Sequence, residues 1–150
     1  MSPDFSDLLC EFNDHGVEYL VVGAHALAVH GHVRATKDLD LWVRPSLANA
    51  QRVLRALAAF GAPLHDLLET DLAEPGTVFQ IGVPPLRIDV LTAIDGVDFE
   101  AAWEARLTTT FAGIPAVVLS RADLIANKKA SGRLQDLADL EVLENPEPSE

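Results

Sequence analysis

Two aspartates, Asp38 and Asp40, interrupt the apolar run DLDLWV, and an earlier apolar run, VEYLVVG, ends in a glycine. Side chains two apart on a strand point the same way, so Leu39, Leu41 and Val43 can face a core while both carboxylates project together from the other face. Two like charges held that close repel. A cation between them relieves the repulsion, and a divalent metal is the obvious candidate.

The pattern recurs in LRIDVL, where Leu86, Ile88 and Val90 share one side and Arg87 and Asp89 the other. If the two strands are neighbours, Asp38, Asp40 and Asp89 meet on one face. Three carboxylates form a hard-oxygen set suited to Mg2+, which takes a few carboxylates together with water and substrate phosphates. Gly23 supplies what such a site needs next: a strand that ends there and passes at once into a helix from Ala24 turns backbone N–H groups towards an anion, and glycine lets a phosphate come close.

Elsewhere the periodicity predicts helices mixed with strands. Phe5, Leu8, Leu9 and Phe12 have helical spacing over residues 4–13, and AHALAVHG suits about two helical turns ending at Gly31. Pro45 and Ser46 open a helix that stops at Gly61. LHDLLETDLAEPG reads as a connection with one helical turn, and TVFQIGV and LRIDVLTAI as a hairpin around Pro84 and Pro85. DFEAAWEARL is a short helix, TTTFAGIPAVVLS one or two strands bending at Gly113 and Pro115, and Ser120 caps the first of two closing helices. The fold class expected is α/β (α+β), a mixed β-sheet flanked by helices. Residues 1–143 would form one domain and 144–150 a disordered acidic tail.

Composition narrows the function. With 150 residues, 49% of them hydrophobic, the chain can build one real core and hardly two. No apolar run reaches bilayer length and the start, MSPDFSDLLCEF, is acidic, so a cytoplasmic protein without a membrane partner is expected. Cys10 is the only cysteine, which excludes an internal disulfide, and its apolar neighbours predict a small buried hydrophobe. A formal net charge of −12 argues against broad binding to duplex nucleic acid. Even so, Arg34 and Lys37 precede the aspartates and Lys128, Lys129 and Arg133 cluster near the end, so the basic residues can converge on one small phosphate compound.

A glycine turn, then D-x-D on the next strand, then a lone Asp on a later one resembles the nucleotidyltransferase superfamily of the polymerase beta type, and in particular small bacterial AbiEii-toxin-like and minimal nucleotidyltransferase proteins. The likeness rests on YLVVGAHALAVHGHVRATKDLDLWV, on RIDVL and on LIANKKASGRLQDLADLEVL, about half of the chain. It implies the nucleotidyltransferase fold and transfer of a nucleoside monophosphate from a nucleoside triphosphate to a hydroxyl of a protein, tRNA or small molecule. On this resemblance Asp38, Asp40 and Asp89 hold Mg2+, and Asp89 also draws the acceptor's proton. Gly23 and Ala24 cradle phosphate, Lys128 and Arg133 are further nucleotide contacts, and Asp136 and Asp139 flank them; by position alone His25 beside the turn, Arg34 and Lys37 join the nucleotide contacts, unless Arg34 and Lys37 simply pair with the neighbouring aspartates. A toxin with an antitoxin or protein acceptor as partner is among the implied roles. tRNA is possible as a partner but disfavoured by the acidic balance.

One departure concerns the turn, usually Gly-Ser or Gly-Gly in such families and here Gly23-Ala24, which lacks one hydroxyl for phosphate. The competing hypothesis is therefore a catalytically weakened nucleotide- or partner-binding module with the same fold. A metal-dependent phosphohydrolase explains the carboxylates but neither the glycine turn nor the late lysine. The plainer readings are solvated aspartates on an exposed strand face, surface or capping histidines at positions 25, 30 and 32, an Arg133, Asp136, Asp139 surface stripe held by salt bridges, and packing roles for Trp42 and Trp103.

Overall fold

Phe5, Leu8, Leu9 and Phe12 bury one face of the first helix, α1 (Pro3–Asp14), which the Ser2 side chain caps. The computed structural model describes residues 2–33, 38–82 and 86–145. After α1 come β1 (Tyr19–Val22), α2 (Gly23–Val29), β2 (Asp38–Val43) and α3 (Leu47–Phe60). A single turn of helix, α4 (Glu69–Ala73), leads into β3 (Val78–Ile81) and β4 (Arg87–Leu91). The chain closes with α5 (Phe99–Glu104), β5 (Leu107–Phe111), β6 (Ile114–Val118), α6 (Arg121–Ser131) and α7 (Leu134–Glu144).

The strands form one six-stranded sheet in the order β3-β4-β2-β1-β6-β5. It is mixed. β1 runs antiparallel to β2 and parallel to β6, β2 and β4 are parallel, and β3–β4 and β5–β6 are antiparallel hairpins. Leu39, Leu41 and Val43 are wholly buried, as alternation along the strand requires. Trp42, on the face of the aspartates, is buried too, packed edge-on against Phe99. Trp103 stacks on Phe99 and lies under the guanidinium of Arg106, so both tryptophans are packing residues.

Asn49 ties three elements together. Its side-chain oxygen accepts from the Glu18 N–H at 2.8 Å, and its amide donates to the Glu18 carbonyl at 3.0 Å and the Arg44 carbonyl at 3.1 Å. The start of α3 is thereby fixed to the outer ends of β1 and β2. Ser46 caps the same helix and Gly61, at φ 95°, ends it in the left-handed region.

Several expectations are corrected. Cys10 is exposed, because the buried face of α1 is made by Phe5, Leu8, Leu9 and Phe12 and residue 10 falls outside it. Pro115 lies within β6; the bend is made by Ala112 and Gly113, both at positive φ. The Arg133, Asp136, Asp139 stripe is not a surface feature: Asp136 and Asp139 are buried, while Leu134 and Leu137 of the same helix face solvent. Among the described residues no helix is long and apolar enough to cross a membrane. Arg34, Lys37, Pro84, Pro85 and residues 146–150 of the expected tail lie outside the described residues.

Replacing Asn49 with Ala leaves the Glu18 N–H and two carbonyls without this partner, a loss of about 1–3 kcal/mol in urea denaturation. Asn49 lies at the ends of the strands opposite those that carry Gly23 and Asp38.

Candidate active site

Register brings the carboxylates together. β2 and β4 run side by side with Asp38 opposite Arg87 and Asp40 opposite Asp89, so all four side chains leave the same face of the sheet. The Asp40 carboxyl lies within hydrogen-bonding reach of Asp89. Burial first, and then the charges of Asp89 and Asp38, push Asp40 up to about 6, against a smaller opposing pull from Arg87. Arg87 balances the cluster: its Nε donates to Asp89 Oδ1 at 3.0 Å, and its Nη2 reaches Asp89 Oδ2 and Asp38 Oδ2, each at 3.3 Å.

Gly23 stands beside this cluster because β1 pairs with β2 and ends where Val22 meets Asp40. Its φ is +69°, and a Cβ built there would collide with Asp40 Oδ2. Glycine is therefore required twice, by the backbone turn and by the approach of the carboxylate. Ala24 follows as a buried helical residue. His25 does not line the cavities: its ring sits edge-on between Phe5 and Phe111, Nδ1 is buried without a hydrogen-bond partner, and burial lowers its pKa against a smaller opposing interaction with the Asp38 backbone.

The wall facing Gly23 comes from α6 and α7. Lys128 is buried with its Nζ 3.2 Å from Asp136 and 3.0 Å from Asp139. Burial alone would raise the pKa of Asp136, but hydrogen bonds from Arg133, Ser131 and Lys128 outweigh it and hold the carboxyl well below its usual range. Arg133 precedes the helix and grips Asp136 through Nε at 2.7 Å, with most of its side chain in solvent. His32 stands 4.0 Å from Asp139 on the far side, and the His30 ring contacts the Leu119 carbonyl.

Two adjoining cavities open between the sheet and this wall, sharing Gly23, Asp40, Lys128 and Arg133. One, of about 240 Å³, adds Ala24, Asp38, Gln135 and Asp136. The other, of about 420 Å³, extends over Val78, Leu91, Ile94, Asp95 and Asn127. A larger cavity of about 600 Å³, between His30, Arg121 and Glu141, holds none of the three aspartates. The expected site residues Asp38, Asp40, Gly23, Ala24, Lys128 and Arg133 thus line the two adjoining cavities, with Asp89 beside Asp40 on the neighbouring strand. His25 does not reach them, and Arg34 and Lys37 lie outside the described residues.

Arg87, and Gln80, which pairs with Asp89 from β3 on the same face, belong to the site without a role assigned from the sequence pattern. The alternation in LRIDVL signalled Arg87; nothing signalled Gln80 before its strand's register was known. As a metal site the donor set fits in kind, three carboxylates of which Asp40 is raised first by burial and then by the charges of the other two. Among the described residues, however, no three acidic or histidine side chains are gathered as a ready metal cage.

The model of the family described as nucleotidyltransferase of unknown function, DUF6036, matches residues 5–144. The chain belongs to this family. Its mixed sheet and flanking helices are the nucleotidyltransferase fold, shared with solved structures at low identity. The lincosamide antibiotic adenylyltransferase LnuA, bound to lincomycin, is 14% identical with a TM-score of 0.62, over 97% of each chain. A Thermotoga maritima protein assigned as a nucleotidyltransferase is 13% identical at a TM-score of 0.60, over 93% of this chain and 88% of its own. ANT(2″)-Ia, in complex with adenylyl-2″-tobramycin, is 14% identical at 0.60, over 93% and 84%. No curated protein matches the sequence.

Two outcomes follow from this geometry. Replacing Gly23 with Ala forces a left-handed Cβ into Asp40, so denaturation shows a loss of about 1–3 kcal/mol. For Asp40, the folded value lies above the ordinary carboxylate value of about 3.9, so the folded protein binds more protons than the unfolded chain between those values. Its stabilising contribution is present below pH ~4 and lost as pH rises through about 6. In chelator, Asp40→Asn is therefore more stable than the parent by about 1–2 kcal/mol above pH ~7 and equal to it near pH ~4, read from urea midpoints.

Proposed function

We propose that the chain transfers a nucleoside monophosphate from a nucleoside triphosphate to a hydroxyl group of a small molecule. The single observation that carries this reading is the register that sets Asp40 between Asp89 and the Gly23 turn, so that Asp38 and Asp40 line the cavity onto which Gly23 opens, with Asp89 beside Asp40 on the next strand. On this reading Asp38, Asp40 and Asp89 hold Mg2+. When bound, the ion would neutralise charge on the phosphates and on the departing pyrophosphate.

The chain's own residues do the rest. The Gly23–Ala24 backbone and Arg133 bind the triphosphate in the smaller cavity, and Asp89 accepts the proton of the acceptor hydroxyl. The hydroxyl oxygen bonds to the α-phosphorus as the bond to the bridging oxygen of the β-phosphate breaks, and pyrophosphate leaves. Lys128, its charge divided between Asp136 and Asp139, acts mainly by fixing the wall on which Arg133 stands. The residues assigned to Arg34 and Lys37 keep their proposed role as further phosphate contacts.

Acceptor size follows from the second cavity. A volume of about 420 Å³ beside Asp40, lined partly by Val78, Leu91 and Ile94, suits a drug-sized molecule more than a tRNA end or a folded protein. The net charge of −12 also disfavours tRNA. Lincomycin in LnuA and the adenylylated tobramycin in ANT(2″)-Ia support the same class. A toxin paired with an antitoxin would need a macromolecular acceptor, so that role ranks lower. Reactions that consume nucleoside triphosphate fit a cytoplasmic location.

A second reading keeps the fold and binds nucleotide without turnover, and Ala24 favours it because its methyl cannot donate to a phosphate. Incubation with ATP labelled at the α-phosphate and a cell extract decides between the two. Label moves to a small-molecule fraction on the first reading, and bound nucleotide without transfer selects the second. The Asp38→Asn, Asp40→Asn double variant lowers transfer by about 100-fold or more. Undiminished transfer by that variant removes the aspartates from the reaction. Ala24→Ser restores a hydroxyl at the turn and tightens triphosphate binding about two- to tenfold, the worth of one hydrogen bond of about 0.5–1.5 kcal/mol.

A further inference from the structure

Arg87 occupies the carboxylates that a metal would need. It stands opposite Asp38 in the β2–β4 register and two residues before Asp89 on the same face, and its guanidinium bridges the two with three hydrogen bonds of 3.0–3.3 Å. Asp89 is consequently 9% exposed and lines neither cavity, although it is the direct neighbour of Asp40. The other two cations of the described wall, Lys128 and Arg133, are held by Asp136 and Asp139 and touch none of the three site aspartates. A guanidinium does not deprotonate near neutral pH, so it leaves only by moving. The side chain is one-third exposed, so it can move without displacing the core.

We propose that Arg87 is a stand-in cation: it holds the aspartates together in the free protein, excludes a divalent metal until it moves, and transfers to the triphosphate when nucleotide arrives. This rests on the reading of Asp38, Asp40 and Asp89 as the metal ligands. Carboxylate oxygens that accept N–H bonds from Arg87 have those lone pairs turned away from a metal, so guanidinium and metal compete for the same atoms. A phosphate chain offers the planar fork an equivalent partner. Nucleotide and metal then favour one another through a single side chain, since whichever draws Arg87 off the aspartates, or takes its place there, makes room for the other.

The two ligands separate this role from a structural one, because losing Arg87 has opposite effects on them. In the full-length chain, Arg87→Gln binds Mn2+ alone at least about tenfold more tightly than the parent, measured by the electron paramagnetic resonance of free Mn2+, the equivalent of one charge-assisted hydrogen bond removed from the competitor. The same variant binds a fluorescent ATP analogue in EDTA about fivefold or more weakly. Arg87→Lys keeps the charge but cannot fork across two carboxylates, and its Mn2+ affinity falls between the two. Mn2+ affinity that is unchanged or weaker in both Arg87 variants overturns the proposal, as does unchanged nucleotide affinity in EDTA. Asp40→Asn in the Arg87→Gln background locates any failure. If it abolishes Mn2+ binding while Arg87→Gln alone changes nothing, only the role of Arg87 is lost; if it changes nothing either, the carboxylate reading falls with it.

Discussion

The parallel pairing of β2 with β4 is the constraint on which the rest of this molecule depends. Parallel neighbours need a long crossover, and here α3, α4 and β3 fill it, so the residues that flank the aspartates are placed by the same connection that sets the register. A slip of one residue between these strands would send Asp89 into the core and an apolar side chain into the cavity. The buried alternates Leu39, Leu41, Ile88 and Val90 hold the register against that slip. Hydrophobic burial on one face thus holds in place a cluster of like charges on the other, which no local interaction would assemble unaided.

The second wall is built by the opposite logic. α7 turns Asp136 and Asp139 inward and Leu134 and Leu137 outward, so its docking is governed less by apolar burial than by Lys128 from α6. Such a buried triad contributes little net stability once desolvation is counted, yet removing one member leaves an uncompensated charge. Its value is in position: Arg133 caps the arrangement through Asp136 and is carried to the rim of the cavity. Strands thus set the carboxylates, and two closing helices set the cations.

Much of this was legible in the sequence where burial follows period. The alternation in DLDLWV and RIDVL gave the shared face of Asp38, Asp40 and Asp89, and turn residues at Gly23, Ser46, Gly61 and Ser120 marked the element ends that the structure has. What stayed hidden depends on partners distant in the chain. The i, i+3 spacing of Asp136 and Asp139 reads as a solvated stripe because nothing local announces Lys128 behind it. His25 follows the glycine turn and suggests an anion contact, but the helix carries its ring round to Phe5 and Phe111 instead. Arg87 showed its face by alternation, whereas the bridge to Asp38, 49 residues away, required the pairing of two strands joined by a long crossover.

Cys10, exposed on the outer side of α1, is the chain's one thiol and lines neither of the cavities that hold the aspartates. It therefore accepts a single maleimide dye or spin label per molecule, at a defined place, without mutagenesis. Left unprotected in air, the same atom links two chains covalently through an intermolecular disulfide, so a reductant decides whether preparations run as one species or two.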